Sequence, residues 1–391
     1  MRNRFVRSVA VLLVVMLCVS MTGCWDNKEL DTLFIVTCIS LDLASDMQQL
    51  DIGLQIGKAR SNSSASGGKG SSEDATILLK TTNDTVMQGI MDVNRDSSRV
   101  LLLQHNQALL IGSELAEQGI EDRIDMFIRD EEARMEVLVL IVDGKAEDIL
   151  SAKFEQNEIS GMYISRFMRD QYNRSINYRS RMLDLVSKFR DGKTSPAIPI
   201  IQLSEEDGKS EMKITGMGMF KDGKMVGKLD DEQSKGYVWA MGDVKDIGVI
   251  VEDKNGTAIL HIDGLETKRE VRVEDNGGVH IGLSVDANMT IGELRGFDGM
   301  DAEEMIKHLE QLAQMQIKKQ IMETYQVTRE SSCDIFSFGM SVYRSHPKEW
   351  KEMKDKWDDI YKEIDLNVEV KAHVPITGQI VKSLEMEDKQ P

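Results

Sequence analysis

The chain has 391 residues, 66 acidic against 48 basic, for a net charge of −18. That balance excludes a nucleic-acid binder, which needs a basic face, and a polybasic membrane-binding surface. Four cysteines exclude a disulfide framework, and 41% hydrophobic content is ordinary for a globular chain of two or three domains. Aromatic residues are few and Met is abundant, at 24. Most of these methionines are expected to fill irregular cores, with some available to line a partner surface.

The chain begins MRNRFVR, with Arg2, Arg4 and Arg7, and continues SVAVLLVVMLCVSMTG, uncharged and apolar. A basic start, a short apolar run and small residues before a boundary have the form of a secretory signal peptide. The run, about 16 residues, is shorter than the roughly 20 of a membrane-spanning helix. Thr22 and Gly23 precede Cys24, which stands where a bacterial lipoprotein leader places its acceptor thiol; Met21 replaces the usual Leu. Residues 1–23 are thus expected to be removed, leaving Cys24 as an N-terminus carrying S-diacylglycerol and an N-acyl group. The alternative is an uncleaved anchor helix. Removing the three arginines takes the charge to about −21, so the tether must come from lipid. Each buried methylene contributes about 0.8 kcal/mol, and two acyl chains suffice where one is marginal.

The phrase WDNKEL follows the cysteine. Trp25 suits a bilayer interface, with its apolar ring and polar N–H. Asp26, Glu29 and Leu30 are candidates for a membrane or partner contact, and a plain spacer is the alternative. LDTLFIVTCISLDL then has apolar residues on both faces, as in a covered central strand, and QQLDIGLQIGK alternates as its partner. The Ser/Gly tract ARSNSSASGGKGSSED can bury nothing and reads as a loop inside a domain, because strand pattern resumes at ATILLK.

Val86, Ile90 and Val93 have helical spacing behind Asn83, a candidate cap. Residues 99–144 read strand, strand, helix, strand. Ser113 opens that helix, Leu115, Ile120, Ile124 and Phe127 form its apolar side, and Gly119 is placed to break it. Ile159, Met162, Ile164, Phe167 and Met168 predict one broad helical face, and a second helix stops at Asp191-Gly192. SPAIPIIQL is extended, its prolines confining it to an edge or a lead-in. Asp222-Gly223 marks a hairpin turn, with the short helix DDEQSKGYVWA after it.

Beyond residue 245 the pattern is β-rich, with Ile281, Leu283, Val285, Ala287, Met289 and Ile291 sharing a face. Asp301 and Glu304 have capping-box spacing for a helix with Ile306, Leu309, Ala313, Ile317 and Ile321 as its stripe. PKEWKEMKDKWDDIYKEI predicts another helix, with Pro347 in the first turn and Trp350, Met353, Trp357 and Ile360 inward. The last strand alternates through Leu366, Val368, Val370, Ala372 and Val374. The class is α+β and multi-domain, with mixed and antiparallel sheets and helices packed on one face. After the leader, residues 24–200 form an N-terminal α+β domain, with a possible split near 150. Residues 201–245 form a linking hairpin and short helix, and 246–391 a C-terminal α+β domain with an antiparallel sheet and two helices.

No catalytic pattern emerges. His105, His261, His280, His308, His346 and His373 are scattered, and no CxxC, G-x-S-x-G, P-loop, H-E-x-x-H or calcium-loop frame occurs. The glycine pairs of GMGMF and DNGG fit hairpin turns better than phosphate cradles. His105 reads as a turn or core histidine. Asp130, Glu131 and Glu132 read as a solvated charge run. Cys38 and Cys333 are expected as two buried free thiols, with one long-range bridge as the alternative. No cofactor or metal is implied.

Four blocks carry a family resemblance: GCWDNKELDTL; residues 105–150 from HNQALLIG onward; GMGMFKDGKMVGKLDDEQSKGYVWAMG; and residues 333–380 from CDIFSFG through the closing strand. In this order they resemble the Ger(x)C spore germination lipoproteins, the C subunits of nutrient germinant receptors. The Ser/Gly tract and RSINYRSRMLDL fit the family least. The resemblance implies a non-enzymatic subunit, lipid-anchored at the outer face of the spore inner membrane. It implies two integral membrane partners, an A-type and a B-type subunit, and a scaffold or signal-relay role in nutrient-triggered germination. A solute-binding lipoprotein feeding a transporter is the competing function; it needs two α/β lobes around a cleft, which the β-rich second half opposes. An envelope hydrolase lacks any nucleophile–base pair.

Overall fold

The computed structural model describes residues 32–58, 76–154, 159–173, 180–206, 209–297 and 299–375, with isolated positions before residue 32. The leader, Cys24, Trp25, Asp26, Glu29, Leu30, the Ser/Gly tract and the end of the chain beyond 375 lie outside the described residues.

The N-terminal half builds a nine-stranded mixed sheet. Its strands are β1 (Leu33–Leu43), β2 (Leu50–Gly57), β3 (Thr76–Asn83), β4 (Val100–Leu102), β5 (Ala108–Gly112), β6 (Leu138–Val142), β7 (Ala197–Glu206), β8 (Lys209–Lys221) and β9 (Lys224–Leu229). The order is β3-β2-β1-β5-β6-β7-β8-β9, with β4 beside the start of β1. β1, β5, β6 and β7 run parallel, and antiparallel hairpins flank them. β5 and β6 are apolar and buried at every position, as strands covered on both faces must be. Leu109, Ile111, Val139 and Ile141 point into one core, and Leu110, Leu140 and Val142 into the other.

Helices cover both cores. On one face lie α1 (Val86–Asp96), α2 (Ser113–Gln118), α3 (Glu121–Arg129) and, later in the chain, the helix Met182–Asp191. On the other lie α4 (Ala146–Ser151) and α5 (Ser160–Asn173); Met182–Asp191 is α6. Gly119, at φ +137°, separates α2 from α3 as its position suggested. The cap of α1 is Thr85, which accepts from Gln88 N, whereas the Asn83 amide donates to Thr81 Oγ1. Met162 is exposed, so the buried face of α5 runs through Ser160, Gly161, Ile164 and Met168 instead. Gly161 lies on β1 so closely that a Cβ would sit 2.1 Å from Thr37 O.

The segment with two prolines is not an edge: Pro196 precedes the strand and Pro199 lies within it. β7 is interior, but its ladder with β6 pairs only Ile200 and Ile201, beyond Pro199. A domain boundary at 200 therefore cuts a strand, and the hairpin of β8 and β9 belongs to the large sheet. Asp222 and Gly223 form its turn, both at positive φ, +48° and +75°. GMGMF lies in the body of β8, not at a turn; a Cβ on Gly216 would be 1.9 Å from Leu229 O.

α7 (Asp231–Met241) opens with a full capping box between Asp230 and Gln233. The second sheet has β10 (Gly248–Asp253), β11 (Gly256–Val273), β12 (Val279–Gly296) and β13 (Asp365–His373). β10, β11 and β12 are antiparallel, with DNGG at the turn joining β11 to β12. β13 pairs β12 in parallel, so the sheet is mixed, where an antiparallel one was expected. The cause is the crossover α8 (Ala302–Glu330), 29 residues that carry the chain back along β12 before β13 begins. Asp301 caps α8 by accepting from Glu304 N at 2.8 Å, and all five residues of its apolar stripe are buried.

The second expected helix is two, α10 (Pro347–Met353) and α11 (Trp357–Lys362), joined by a 3-10 turn, and a further helix not expected from the sequence, α9 (Phe338–Ser345), precedes them. Trp350, Met353 and Trp357 are buried as expected; Ile360 is only partly so. This smaller sheet carries its helices on one face and leaves Ile250, His261 and Lys371 outside. One core joins Met217, Met219 and Leu229 of the large sheet to Trp239 of α7 and to the second sheet.

Candidate functional site at the domain junction

The segment CDIFSFG (333–339) sits where the two sheets meet. Ser332 and Ser337 both adopt left-handed backbone, φ +50° and +61°, and fold the segment into a compact elbow between α8 and α9. Cys333 Sγ donates to Phe220 O in β8 (3.4 Å), and Ser195 N donates to Asp334 O (2.9 Å). The elbow thus binds the entry of β7 through a backbone carbonyl and the exit of β8 through a thiol.

Asp334 is buried at its centre. Its Oδ1 accepts from Phe338 N (2.9 Å); its Oδ2 accepts from Gly339 N (2.7 Å) and from Trp357 Nε1 (3.1 Å). Arg269 of β11 supplies a nearby positive charge while donating to Phe336 O and Ala240 O, both at 2.7 Å. Burial pushes the Asp334 carboxyl up to about 6, with the three donors and Arg269 opposing. Phe336 and Phe338 stack at 5.4 Å, and Tyr325, Tyr237 and Tyr361 surround them. Gly339 must be glycine, because a Cβ would lie 2.8 Å from Lys193 O and 2.9 Å from Trp357 Nε1. Lys221 of β8 bridges to Asp358 of α11 at 2.6 Å.

A cleft of about 320 Å³ opens beside the elbow, lined by Lys188, Lys193, Thr194, Lys221, Asp222 and Asp358 among others. A neighbouring hollow of about 430 Å³ shares Glu121, Asp222 and Gly223. Lys221 is paired with Asp358, and Lys193 Nζ donates to Asp191 O and lies over the Tyr343 ring at 4.7 Å. The basic groups are occupied by the fold. Burial raises the Cys333 thiol to about 12, far from thiolate reactivity. The arrangement is suited to fixing one domain against the other.

The other residues singled out in the sequence do not gather here. Cys38 is a free buried thiol donating to Ala108 O, and Cys333 is likewise unbridged. His105 is exposed in a one-turn 3-10 helix. Glu131 is exposed, and Asp130 caps α3 and accepts from Glu132 N. Four of the remaining histidines each face a carboxylate: His261 with Asp246, His280 with Glu274 and Asp365, His308 with Asp253, and His373 with Asp286. His346 faces Ser345. Among the described residues no group of three or more His, Cys, Asp or Glu is placed to hold a metal ion. Asp334 and Arg269 escaped the sequence reading. The one available signal was a lone carboxylate inside the otherwise apolar run CDIFSF.

Two packed α+β domains locked by an aromatic elbow define the class, and comparison with known proteins names it. Residues 26–203 match the spore germination protein N-terminal domain, and residues 215–378 match the spore germination B3/GerAC-like C-terminal domain. The chain belongs to this spore germination family. It is 23% identical to spore germination protein KC of Bacillus subtilis (strain 168), over 95% of each chain. Spore germination protein B3 of the same organism is 24% identical, over 96% of this chain and 98% of that one. The crystal structure of the GerBC protein has the same fold, with a TM-score of 0.57 at 18% identity, covering 86% of this chain and 96% of the other. Membership in the family gives the chain a role in spore germination.

Proposed function

We propose that this chain is the lipid-anchored C-type subunit of a spore nutrient germinant receptor, acting without catalysis as a scaffold and signal relay. The observation that carries the reading is the order of parts: a basic and apolar leader ending at Cys24, then both family domains in sequence. Lipid on Cys24 holds the subunit at the outer face of the spore inner membrane, and Trp25, Asp26, Glu29 and Leu30 are the first residues it presents there. Among the described residues no helix is long and apolar enough to cross a membrane; in this reading the attachment is the lipid on Cys24. Its partners are the two integral membrane subunits of A and B type. The interlocked junction supports a relay, because Asp334 holds Trp357 through its carboxylate and Ser195, at the entry of β7, through its carbonyl. Mass spectrometry of the N-terminal peptide is expected to find diacylglycerol on Cys24, and crosslinking in spore membranes to join the chain to both partners. An unmodified Cys24, or no crosslink to either, contradicts the reading. The cleft beside the elbow is the one feature favouring a solute-binding lipoprotein. Micromolar binding of a nutrient to this chain by calorimetry would favour that second reading.

A further inference from the structure

We infer that the corner formed by Arg99, Val100 and Phe34 rests on an anionic phospholipid surface, so that the start of β1 and β4 is the membrane-facing end of the protein. The inference rests on the lipid-anchored reading of Cys24. Thr32 is the first residue of the continuous fold, and eight residue steps separate it from Cys24. A chain of that length reaches at most about 28 Å even when fully extended. The start of β1 is therefore confined near the bilayer.

What lies there is set by register. β4 pairs in parallel with the first three residues of β1, Leu33 with Val100, Phe34 with Leu101 and Ile35 with Leu102. Val100 thus stands one strand spacing from the point where the tether enters the fold, and its side chain is 49% exposed. The exposed Arg99 lies over the ring of Phe34, with its Cζ 5.3 Å from the centroid. Among the described residues no carboxylate pairs with Arg99. Its neighbour Arg95 is instead neutralised by Asp92 (3.0 Å) and Asp96 (3.3 Å).

An unneutralised guanidinium beside an exposed valine and a partly buried phenylalanine matches the chemistry of the headgroup layer. The planar cation meets phosphate while the apolar groups enter the acyl boundary. The rest of the chain supports the same orientation. With the leader removed, a net charge of about −21 is repelled by an anionic leaflet, so the body stands away and the unpaired Arg99 guanidinium is the group that turns toward it.

The test uses the full chain, produced with its leader and reconstituted into vesicles containing phosphatidylglycerol. A fluorophore is attached through Val100→Cys, or through Ile250→Cys in the other sheet as comparison. The native Cys38 and Cys333 are buried and stay unlabelled. With a quencher on the lipid headgroups, quenching at 100 is expected to exceed that at 250 several-fold. Arg99→Glu is expected to reduce the quenching at 100 in anionic vesicles and to leave it unchanged in phosphatidylcholine. A chain that floats with the vesicles yet shows equal quenching at the two positions, or more at 250, overturns this inference and leaves the anchor standing. A chain that does not float overturns the anchored reading, and this inference with it.

Discussion

Asp334 concentrates the physics of the junction in one side chain. A buried carboxylate that meets three donors is costly to remove, because its partners are left without an acceptor. Asp334→Ala is expected to lower stability by roughly 3–5 kcal/mol, read by denaturant unfolding; a loss below 1 kcal/mol would mean the donors find other partners. The pH dependence has a definite sign. Burial raises this carboxyl above its unfolded value of 3.8 to about 6, so the native state holds the proton more tightly. The stability it contributes is fully present below about pH 4 and is lost as pH rises through about 6. The stability difference between the native chain and Asp334→Asn is therefore expected to shrink by about 3 kcal/mol between those limits and then stay flat. A difference that grows over this range contradicts the assignment. His280 has the opposite chemistry. Its hydrogen bonds to Asp365 and then Glu274 raise its pKa, so its favourable pairing is complete below about 6.5 and fades as pH climbs through the folded value. An imidazole titration by NMR at or below 6.5 would contradict that pairing.

Among the elements, α7 and α8 cross where glycine leaves no room. A Cβ on Gly236 would sit 2.1 Å from Thr324 Oγ1 and 2.2 Å from Gln320 O, and Gln320 there accepts from Trp239 Nε1 and donates to Glu232. Gly236→Ala is expected to cost about 1–3 kcal/mol by forcing the helices apart. A thermal midpoint unchanged from the native chain would contradict so close a crossing. The elements themselves were largely legible. The alternation of β11 and β12, the stripe of α8, the break at Gly119 and the Asp222-Gly223 turn all follow from local periodicity and turn chemistry. What local pattern does not encode is which strand lies beside which. Val368, Val370 and Ala372 alternate equally well in a parallel ladder, so the direction of β13 follows from α8 and not from its own residues. Pro199 is compatible with an interior strand because the ladder to β6 starts one residue later. The elbow was hidden for the same reason: Arg269 looks like one more charge in the alternating run KREVRV, and only the fold brings it near a carboxylate 65 positions away.

At the scale of the molecule, the two sheets share a continuous core through Met217, Leu229 and Trp239. They are expected to unfold in one transition, with fluorescence and far-UV circular dichroism coincident; two separated transitions would mean the junction is weaker than its packing implies. On the proposed reading, a body with one joined core, held by lipid on Cys24, is suited to passing force or position between a membrane surface and its neighbours. The tether is thus the part on which the functional reading turns. The most direct measurement is the nutrient response of spores whose only copy of this chain carries Cys24→Ala. The expected result is release of the protein from the membrane fraction together with loss of nutrient-triggered germination. Spores that release the protein and still germinate at the native rate would contradict the anchored-subunit account.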